Sequence, residues 1–263
     1  MHLADSPLVY VLAQVRFSAV ESIQKYVPEV QDQLRKKGFP RFIEGKIQDI
    51  RLSPLEAPEV TTAPRFEFQN KSGTAGIVLT KGFMSYHVSR YTTFEDFSSG
   101  LLTAIEVVHG IVGLGLIERV GLRFVDLIRL KEGEKLFDYV DQGLLGLDPE
   151  KFQANSPIVT FRMLTRTPAG VLAIRFTQRD DGVFLPPDLQ PSTLDHGPME
   201  VQPGELVSFL DFDHFIQFEK TGPDFTPDGI ADLLWKLHDT TDLAFRAAVT
   251  ANAMRAWRAN GSV

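Results

Sequence analysis

The order of predicted strands and helices is the sequence feature that most constrains the fold of this chain. Strand-forming segments are followed by one long helix, and this order occurs twice along the 263 residues. The long helices are predicted over 94–112 and 227–249, where apolar residues recur at helical spacing. Strands grouped ahead of a helix indicate an α+β fold, with antiparallel sheets and helices packed on one face. The repetition suggests a duplicated strands-then-helix unit, whose halves at 1–150 and 151–263 pack together as one compact body.

Capping residues, turns and prolines set the limits of these predicted elements. Thr93 and Thr226 carry side-chain oxygens that are suited to cap the two long helices, and a shorter helix is predicted over 28–37. The segments 53–64 and 184–205 carry three and five prolines and are predicted to be irregular. Alternating or continuous apolar residues predict strands at 8–17, 65–69, 75–80, 83–89, 118–130, 157–167, 170–180 and 209–219.

Charge and cysteine content exclude several classes of partner and chemistry. The net charge of −7 and an isoelectric point near 5.4 give no electrostatic reason to expect nucleic acid as a partner. No cysteine is present, which excludes disulfides, thiolate nucleophiles and cysteine-ligated metals. The N-terminal residues lack the basic region of a signal peptide, and the longest apolar run, 110–117, is far shorter than the roughly 18 residues that span a bilayer. We therefore expect a cytoplasmic protein without a membrane partner.

Familiar catalytic and cofactor motifs are absent from the sequence. It contains no GxxxxGK[ST] phosphate loop, no GxGxxG between a strand and a helix, and no HExxH, GxSxG or DxDxDG motif. The glycines of GIVGLG instead stand at the end of a predicted helix, where they are typical of a helix cap and turn. We therefore predict no cofactor and name no catalytic residue, but an enzyme with an unfamiliar site stays open.

One predicted strand, FLDFDHFIQFE, places two carboxylates and an imidazole among aromatic residues. Residues two apart share a face of a strand, so Asp211 and Asp213 lie together while His214 points to the opposite, apolar face. His214 is then expected to be a buried histidine whose ring nitrogens have partners. The two carboxylates could bridge a divalent cation, but no further oxygen ligands can be located, and no metal site is predicted. The alternative is that they pair with arginine on a neighbouring strand.

Arginines follow the same period of two on three other predicted strands. The candidate ligand-binding residues among them are Arg123, Arg162 and Arg175. The arginines that share faces with these three are Arg119, Arg129, Arg166 and Arg179. Rows of like charge destabilise a sheet unless anions lie between them, so Asp211 and Asp213, or a small anionic ligand, are the expected partners. A solvent-exposed sheet face with alternating charges is the alternative.

Two further acidic residues lie at positions where a carboxylate needs an explanation. On the second long helix His238 and Asp242 are four residues apart, so the carboxylate could orient the imidazole for acid–base chemistry or form an ordinary helix-surface pair. On the strand at 118–130 Asp126 shares its face with apolar residues, where a carboxylate needs a partner or must be neutral. His238 joins the arginines and aspartates above as a candidate ligand-binding residue.

Four segments relate the whole chain to a known family: PLVYVLAQVRF near the N-terminus, the central RVGLRFVD, the DFDHF strand, and the terminal helix with LHD. On these segments the chain resembles a sporadically distributed bacterial family of uncharacterised proteins of this length. The resemblance implies neither an established activity nor a catalytic residue. The scattered distribution of that family is typical of exchangeable accessory genes, which implies a role in a defence or mobile-element system.

Two classes of function follow from these observations. The first is a non-catalytic binding or assembly protein with a protein partner. The second is a small-molecule-binding protein or enzyme that uses the arginine-rich sheet face with Asp211, Asp213 or His238. Few lysines or prolines interrupt the predicted strands to protect open sheet edges, so we also expect a homodimer.

Overall fold

A computed structural model shows one nine-stranded antiparallel sheet and four α-helices in the described part of the chain, so the predicted α+β class is confirmed. The strands are β1 (Leu8–Phe17), β2 (Arg41–Arg51), β3 (Glu59–Gln69), β4 (Ala75–Leu79), β5 (Phe83–Val88), β6 (Ile117–Arg129), β7 (Thr160–Thr167), β8 (Gly170–Asp181) and β9 (Pro203–Gln217). The α-helices are α1 (Val27–Lys36), α2 (Phe94–Val112), α3 (Pro227–Ala248) and α4 (Ala251–Ala256). The structure describes residues 5–51, 59–147, 149–153, 158–190, 192–197, 199–218 and 222–258.

The order of the strands in the sheet is symmetric about its centre. From one edge to the other the order is β2-β3-β4-β5-β1-β6-β9-β8-β7. β1 and β6 form the central antiparallel pair, with Ala13 opposite Leu122. A three-stranded meander extends from each of them, and β2 adds one more strand at the first edge. The duplication of a strands-then-helix unit and the division of the chain near residue 150 stay predictions.

One face of the sheet packs against the helices and contains most of the core. On the side of β1–β5, an apolar cluster with α1, α2 and the first half of α3 surrounds the fully buried Leu101. On the side of β7–β9, a second cluster with the end of α3 and with α4 surrounds the fully buried Phe176. Phe124 of β6 packs against the first cluster and Phe212 of β9 belongs to the second. The two clusters therefore meet across the β6–β9 pair.

The opposite face of the sheet is crossed by the long connection between β8 and β9. Three apolar side chains of this connection are buried on the central strands: Leu185, Leu194 and Val201. Its described residues contain only a short 3-10 turn, Pro187–Leu189. The prediction of a long irregular segment over 184–205 is therefore confirmed as far as the start of β9. None of the described helices has the length and apolar character of a membrane-spanning segment.

The helix caps and hairpins predicted from the sequence are present. Thr93 Oγ1 accepts a hydrogen bond from Asp96 N at 3.1 Å, and Thr226 Oγ1 accepts one from Gly229 N at 3.2 Å. The helix predicted over 28–37 corresponds to α1. The β3–β5 meander and the β7–β8 hairpin also occur as predicted.

The prediction of an irregular segment over 53–64 is wrong in its second part. β3 begins at Glu59, so 59–64 belong to a strand, while 52–58 lie outside the described residues. Pro64 is tolerated because only β2 pairs with β3 at this point; β4 pairs with residues 66–69 alone. β2 itself was not predicted, because its half-exposed residues alternate poorly along this edge strand.

Candidate functional site

The arginines and aspartates on the sheet face opposite the helices form one ion-pair network. β9 lies between β6 and β8, so its carboxylates stand between arginines of both neighbours. Arg123 donates two hydrogen bonds to Asp211, from Nε to Oδ1 and from Nη2 to Oδ2, each 2.8 Å long. Arg175 Nη1 donates to the same carboxylate at 3.0 Å. The pairing of Asp211 with arginine on neighbouring strands is therefore confirmed.

Asp188 and Asp213 complete this network at its margins. Asp188 reaches down from the connection above the sheet and accepts a hydrogen bond from Arg123 Nη1 at 2.5 Å. Asp213 Oδ2 lies 3.4 Å from Arg175 Nη2. Burial alone would lower the pKa of Arg123, but the hydrogen bonds that it donates to Asp211 and Asp188 outweigh that effect and raise this pKa above its ordinary value. Each buried charge has a partner of opposite sign, so the network stabilises the fold and holds the connection in place.

Two other arginines stand apart from this buried centre. Arg119 Nη2 lies 3.6 Å from Asp213 Oδ1, and its guanidinium stacks 4.4 Å from the ring centroid of Phe215. A cavity of about 230 Å³ lies beside it, under the connection. Arg162 is exposed on the outer strand β7 and forms no ion pair with the residues that the structure describes. The structure therefore unites Arg123, Arg175, Asp211 and Asp213, and places Arg162 outside the group.

A second buried polar network, which the sequence analysis did not find, lies under the same connection. Tyr10 Oη and His87 Nδ1 are 2.8 Å apart, and His87 Nε2 lies 3.3 Å from Glu67 Oε1. Glu67 also accepts a hydrogen bond from Thr193 Oγ1 at 2.6 Å and pairs with Arg65 at 2.5 Å. The sequence did contain a signal, since this glutamate stands between two phenylalanines in RFEFQ. Such a carboxylate, like Asp126, needs a partner.

The charge of Glu67 is matched within this network. Burial alone would raise the pKa of Glu67, but hydrogen bonds from His87, Thr193 and Gln69 outweigh it and lower the pKa to about 2. Burial raises the pKa of Tyr10, and the negative charge of Glu67 raises it further, so the phenol stays protonated. Like the arginine network, this group joins the connection to the sheet and leaves no buried charge without a partner.

On the helix face, a pocket opens between the sheet and α3, where the two apolar clusters meet. Its volume is about 120 Å³, close to the roughly 150 Å³ of an engineered cavity that admits benzene. The floor is formed by Phe124, Asp126 and Phe212 of the central strands. The walls are formed by Tyr91 on one side and by α3 on the other, with the exposed Ser6 at the mouth. The α3 residues of this wall are His238, Thr241, Asp242 and Phe245.

Asp126 is the unusual residue of this pocket. It is 3% exposed and stands between Leu8 of β1 and Leu210 of β9 in the strand register. Its carboxyl has no hydrogen bond or ion pair with any residue in the described part of the chain. Burial, with a smaller contribution from the negative charge of Asp211, raises the pKa of Asp126 to about 8. The carboxyl is therefore protonated at neutral pH and presents an unused hydrogen-bonding group to the pocket.

His238 lines the same pocket but not in the arrangement predicted from the sequence. Its ring stacks on Phe94 at 3.9 Å between centroids, and its Nδ1 lies 3.5 Å from Asp239 Oδ1, too far for a good hydrogen bond. Asp242 pairs with Arg246 at 2.8 Å, so the predicted pairing of His238 with Asp242 is wrong. The aromatic packing turns the imidazole away from that carboxylate. Burial lowers the pKa of His238, and the nearby carboxylates only partly offset this effect.

His214 is the satisfied buried histidine that the sequence predicts. It is fully buried on the helix face, with Nε2 2.8 Å from Thr167 Oγ1 and Nδ1 2.9 Å from Leu237 O. Both ring nitrogens are occupied by partners from two different elements. His214 therefore fixes α3 on the sheet and is not available to a ligand.

Comparisons with known proteins give no family or activity for this site. No protein-family model matches the chain, and no match was found among curated proteins or among solved structures. Within the described ranges, no group of three or more histidine, aspartate or glutamate side chains is placed to hold a metal ion. The candidate site therefore rests on its own geometry: a small pocket with aromatic walls and one buried carboxyl that has no partner among the described residues.

Proposed function

We propose that this chain is a non-catalytic binding protein that takes a small molecule into the pocket between α3 and the sheet. The observation that carries this proposal is Asp126, a buried carboxyl that lines the pocket without a partner in the described structure. Burying a polar group without a hydrogen bond costs about 1–3 kcal/mol. A strand that served the core alone would carry an apolar residue here, as the neighbouring positions do. A ligand that contacts Asp126 recovers this cost.

The pocket, which His238 lines, suits a ligand better than the arginine face, on which the other sequence-predicted candidates lie. Arg123 and Arg175 have their donors directed at Asp211, Asp188 and Asp213. A ligand anion there must displace carboxylates of the protein itself. In the pocket, by contrast, Asp126 has no ion pair or hydrogen bond with the described residues that a ligand must displace. Small-molecule sites commonly combine apolar walls with a few such converging polar groups.

The polar side chains of the pocket favour binding over covalent catalysis. Thr241 Oγ1 donates to a backbone carbonyl of its own helix at 2.8 Å. Tyr91 has a pKa raised by burial and by the nearby carboxylates Glu95 and Asp242. Thr92 Oγ1 donates to Asp96 Oδ2 at 2.6 Å at the start of α2, so the hydroxyls of both threonines in the lining serve contacts of the helices.

A screen of small fragments tests this proposal. Neutral, cationic and anionic fragments no larger than benzylamine are screened for binding by ligand-observed NMR on the full chain. We expect hits that Ser6→Trp abolishes, because the indole fills the mouth of the pocket. Ser99→Trp is the matched control, since Ser99 is exposed on α2 and does not line the pocket. Hits that survive Ser6→Trp, or no hit at all, contradict the proposed function.

An assembly role is the second candidate, and the edge strand β7 favours it. β7 pairs only with β8, and both of its faces carry exposed apolar side chains: Met163 is 41% exposed and Leu164 is 62% exposed. The free edge of a strand that contains no proline or lysine can pair with a strand of a second chain. We propose a homodimer formed through this edge. Light scattering tests it, because a mass of 29.4 kDa at micromolar concentration is that of one chain and contradicts the dimer.

The biological setting rests on the family resemblance alone. A cytoplasmic accessory role in a defence or mobile-element system stays a prediction. It is compatible with either candidate function, because such a system can use a ligand sensor as well as an assembly component.

A further inference from the structure

We propose that the pocket between α3 and the sheet binds a small organic cation, in which an ammonium group on a compact hydrocarbon or aromatic body contacts Asp126. This inference rests on the proposed function and adds the chemical class of the ligand. Its basis is the juxtaposition of aromatic walls with a buried carboxyl that has no partner among the residues the structure describes.

The charges around the pocket favour a positive ligand. The lining contains two carboxyls, Asp126 and Asp242, and no lysine or arginine. Arg246 pairs with Asp242 from an exposed position on α3. Asp126 is left as the one carboxyl of the described lining that has no cation. If Asp126 ionises it needs a partner of opposite sign, and because the described lining holds no lysine or arginine, a bound ligand is the source of that charge.

The walls have the chemistry that accommodates a desolvated cation. Four aromatic rings line the pocket: Tyr91, Phe124, Phe212 and Phe245. The faces of aromatic rings attract an ammonium group, with about 0.5–2 kcal/mol for each favourable contact. Apolar walls of this kind also exclude water, which strengthens the attraction between the ammonium group and the carboxylate. An anion receives neither contribution.

A neutral ligand that accepts a hydrogen bond from protonated Asp126 is the competing occupant. It satisfies the carboxyl proton, but it leaves the aromatic faces with only dispersion contacts. A hydrogen bond between an ammonium group and a carboxylate is about twice as strong as one between neutral groups. The structure therefore favours the cation, and the two occupants differ in one measurable respect: only the cation causes Asp126 to release its proton.

Three probes of nearly equal shape separate these possibilities: benzylamine, benzyl alcohol and benzoate. Isothermal titration calorimetry on the full chain at pH 7 gives the affinity of each probe. Repeating the benzylamine titration in buffers of different ionisation enthalpy gives the number of protons released. The other titratable groups around Asp126 are Tyr91, His238 and Asp242 in the pocket and Asp211 across the sheet. The release is therefore compared between the wild type and Asp126→Asn.

We expect benzylamine to bind at least about tenfold more tightly than benzyl alcohol, with release of close to one proton. Asp126→Asn should remove both the preference and the proton release. Asp232→Asn, at an exposed position of α3 outside the lining, removes the same charge and should change neither.

The outcomes distinguish this inference from the proposed function. If benzyl alcohol binds as tightly as benzylamine, or if Asp126→Asn leaves the amine affinity unchanged, the cation is refuted and the pocket stands as a site for neutral molecules. Preferential binding of benzoate refutes the cation in the same way. If none of the three probes binds and the fragment screen also finds no hit, both the ligand class and the proposed function fail.

Discussion

The two faces of the central sheet differ in how their buried carboxyl groups are paired. On the face under the β8–β9 connection, Asp211 is 3% exposed and is held by Arg123 and Arg175. On the helix face, Asp126 is equally buried, one strand away, and has no partner among the described residues. An aspartate at the same depth is thus paired with arginine on one face, and is protonated and without a partner among the described residues on the other.

This difference separates charges that stabilise the fold from a charge that is available to a ligand. Removing one residue from a matched network lowers the stability of the fold, because a partner charge stays buried with fewer opposite charges around it. An unmatched carboxyl lowers stability in the free protein, so its removal should stabilise the chain while removing a function. The sign of the stability change therefore distinguishes the two cases.

Breaking the matched face should give the largest effect. Asp211→Asn removes the carboxylate that accepts hydrogen bonds from Arg123 and Arg175, and leaves the 8%-exposed Arg123 with Asp188 alone. We expect the free energy of unfolding to fall by about 3–5 kcal/mol in urea titrations. Asp213→Asn is the graded comparison: its side chain is 20% exposed, so its loss should cost about 1 kcal/mol or less. The double variant Asp211→Asn/Asp213→Asn tests the alternative of a metal site. A rise in its melting temperature, together with stabilisation of the wild type by magnesium, calcium or manganese, contradicts the pairing role and indicates a metal site.

Removing the unmatched carboxyl should have the opposite sign. The pKa of Asp126 rises from an ordinary 3.8 to about 8 on folding, so between these values the folded chain holds a proton that the unfolded chain has released. The free energy of unfolding then falls with rising pH by up to about 1.4 kcal/mol per unit. Asp126→Asn should remove this slope, so its gain in stability should be greatest at pH 8 and close to zero below pH 4.

Urea unfolding of Asp126→Asn at several pH values between about 3.5 and 8.5 measures this effect. Asp232→Asn, which removes an exposed carboxylate from α3, should keep the wild-type slope. An Asp126→Asn variant that is less stable than the wild type at pH 8 shows that the carboxyl is ionised and paired in the folded state.

The second matched network sharpens the comparison with a smaller loss. The pKa of Glu67 falls from an ordinary 4.5 to about 2 on folding, so its contribution to stability is present above the higher value and is lost as the pH falls through the lower one. Glu67→Gln should cost about 2 kcal/mol at pH 7 and little near pH 2. Glu44→Gln, exposed on β2, is the control; an equal loss in both variants contradicts a specific role for the buried network.

The smallest change in stability is expected at the edge of the sheet. Leu164 of β7 is 62% exposed, so Leu164→Lys should change the free energy of unfolding by no more than about 0.5 kcal/mol. It should nevertheless reduce a dimeric mass in light scattering to that of one chain, because a lysine on an open edge blocks strand pairing. Leu243→Lys, at a 68%-exposed position of α3, is the matched control and should keep the dimer.

Much of the local structure and part of the site could be predicted from the sequence. Period-two patterns placed Asp211 and Asp213 together and His214 on the other face, and the abundance of arginine predicted their pairing. Asp126 also stood out as a carboxylate among apolar neighbours. The pairing of His238 with Asp242 was wrong because spacing on a helix shows which side chains can meet, while packing against Phe94 decides whether they do.

The sequence by itself determined the type of most elements, their caps, and the face on which each charged side chain of a strand lies, because these follow from local periodicity and backbone sterics. Only the tertiary structure decided that β9 lies between β6 and β8, which matches Asp211 with two arginines. It also decided that the β5–α2 connection, β6, β9 and α3 enclose a pocket around a carboxyl that has no partner in the described part of the chain. Local sequence patterns do not show which distant segments become neighbours in the fold. The ion pairs of Asp211 and the pocket beside Asp126 both depend on such neighbours.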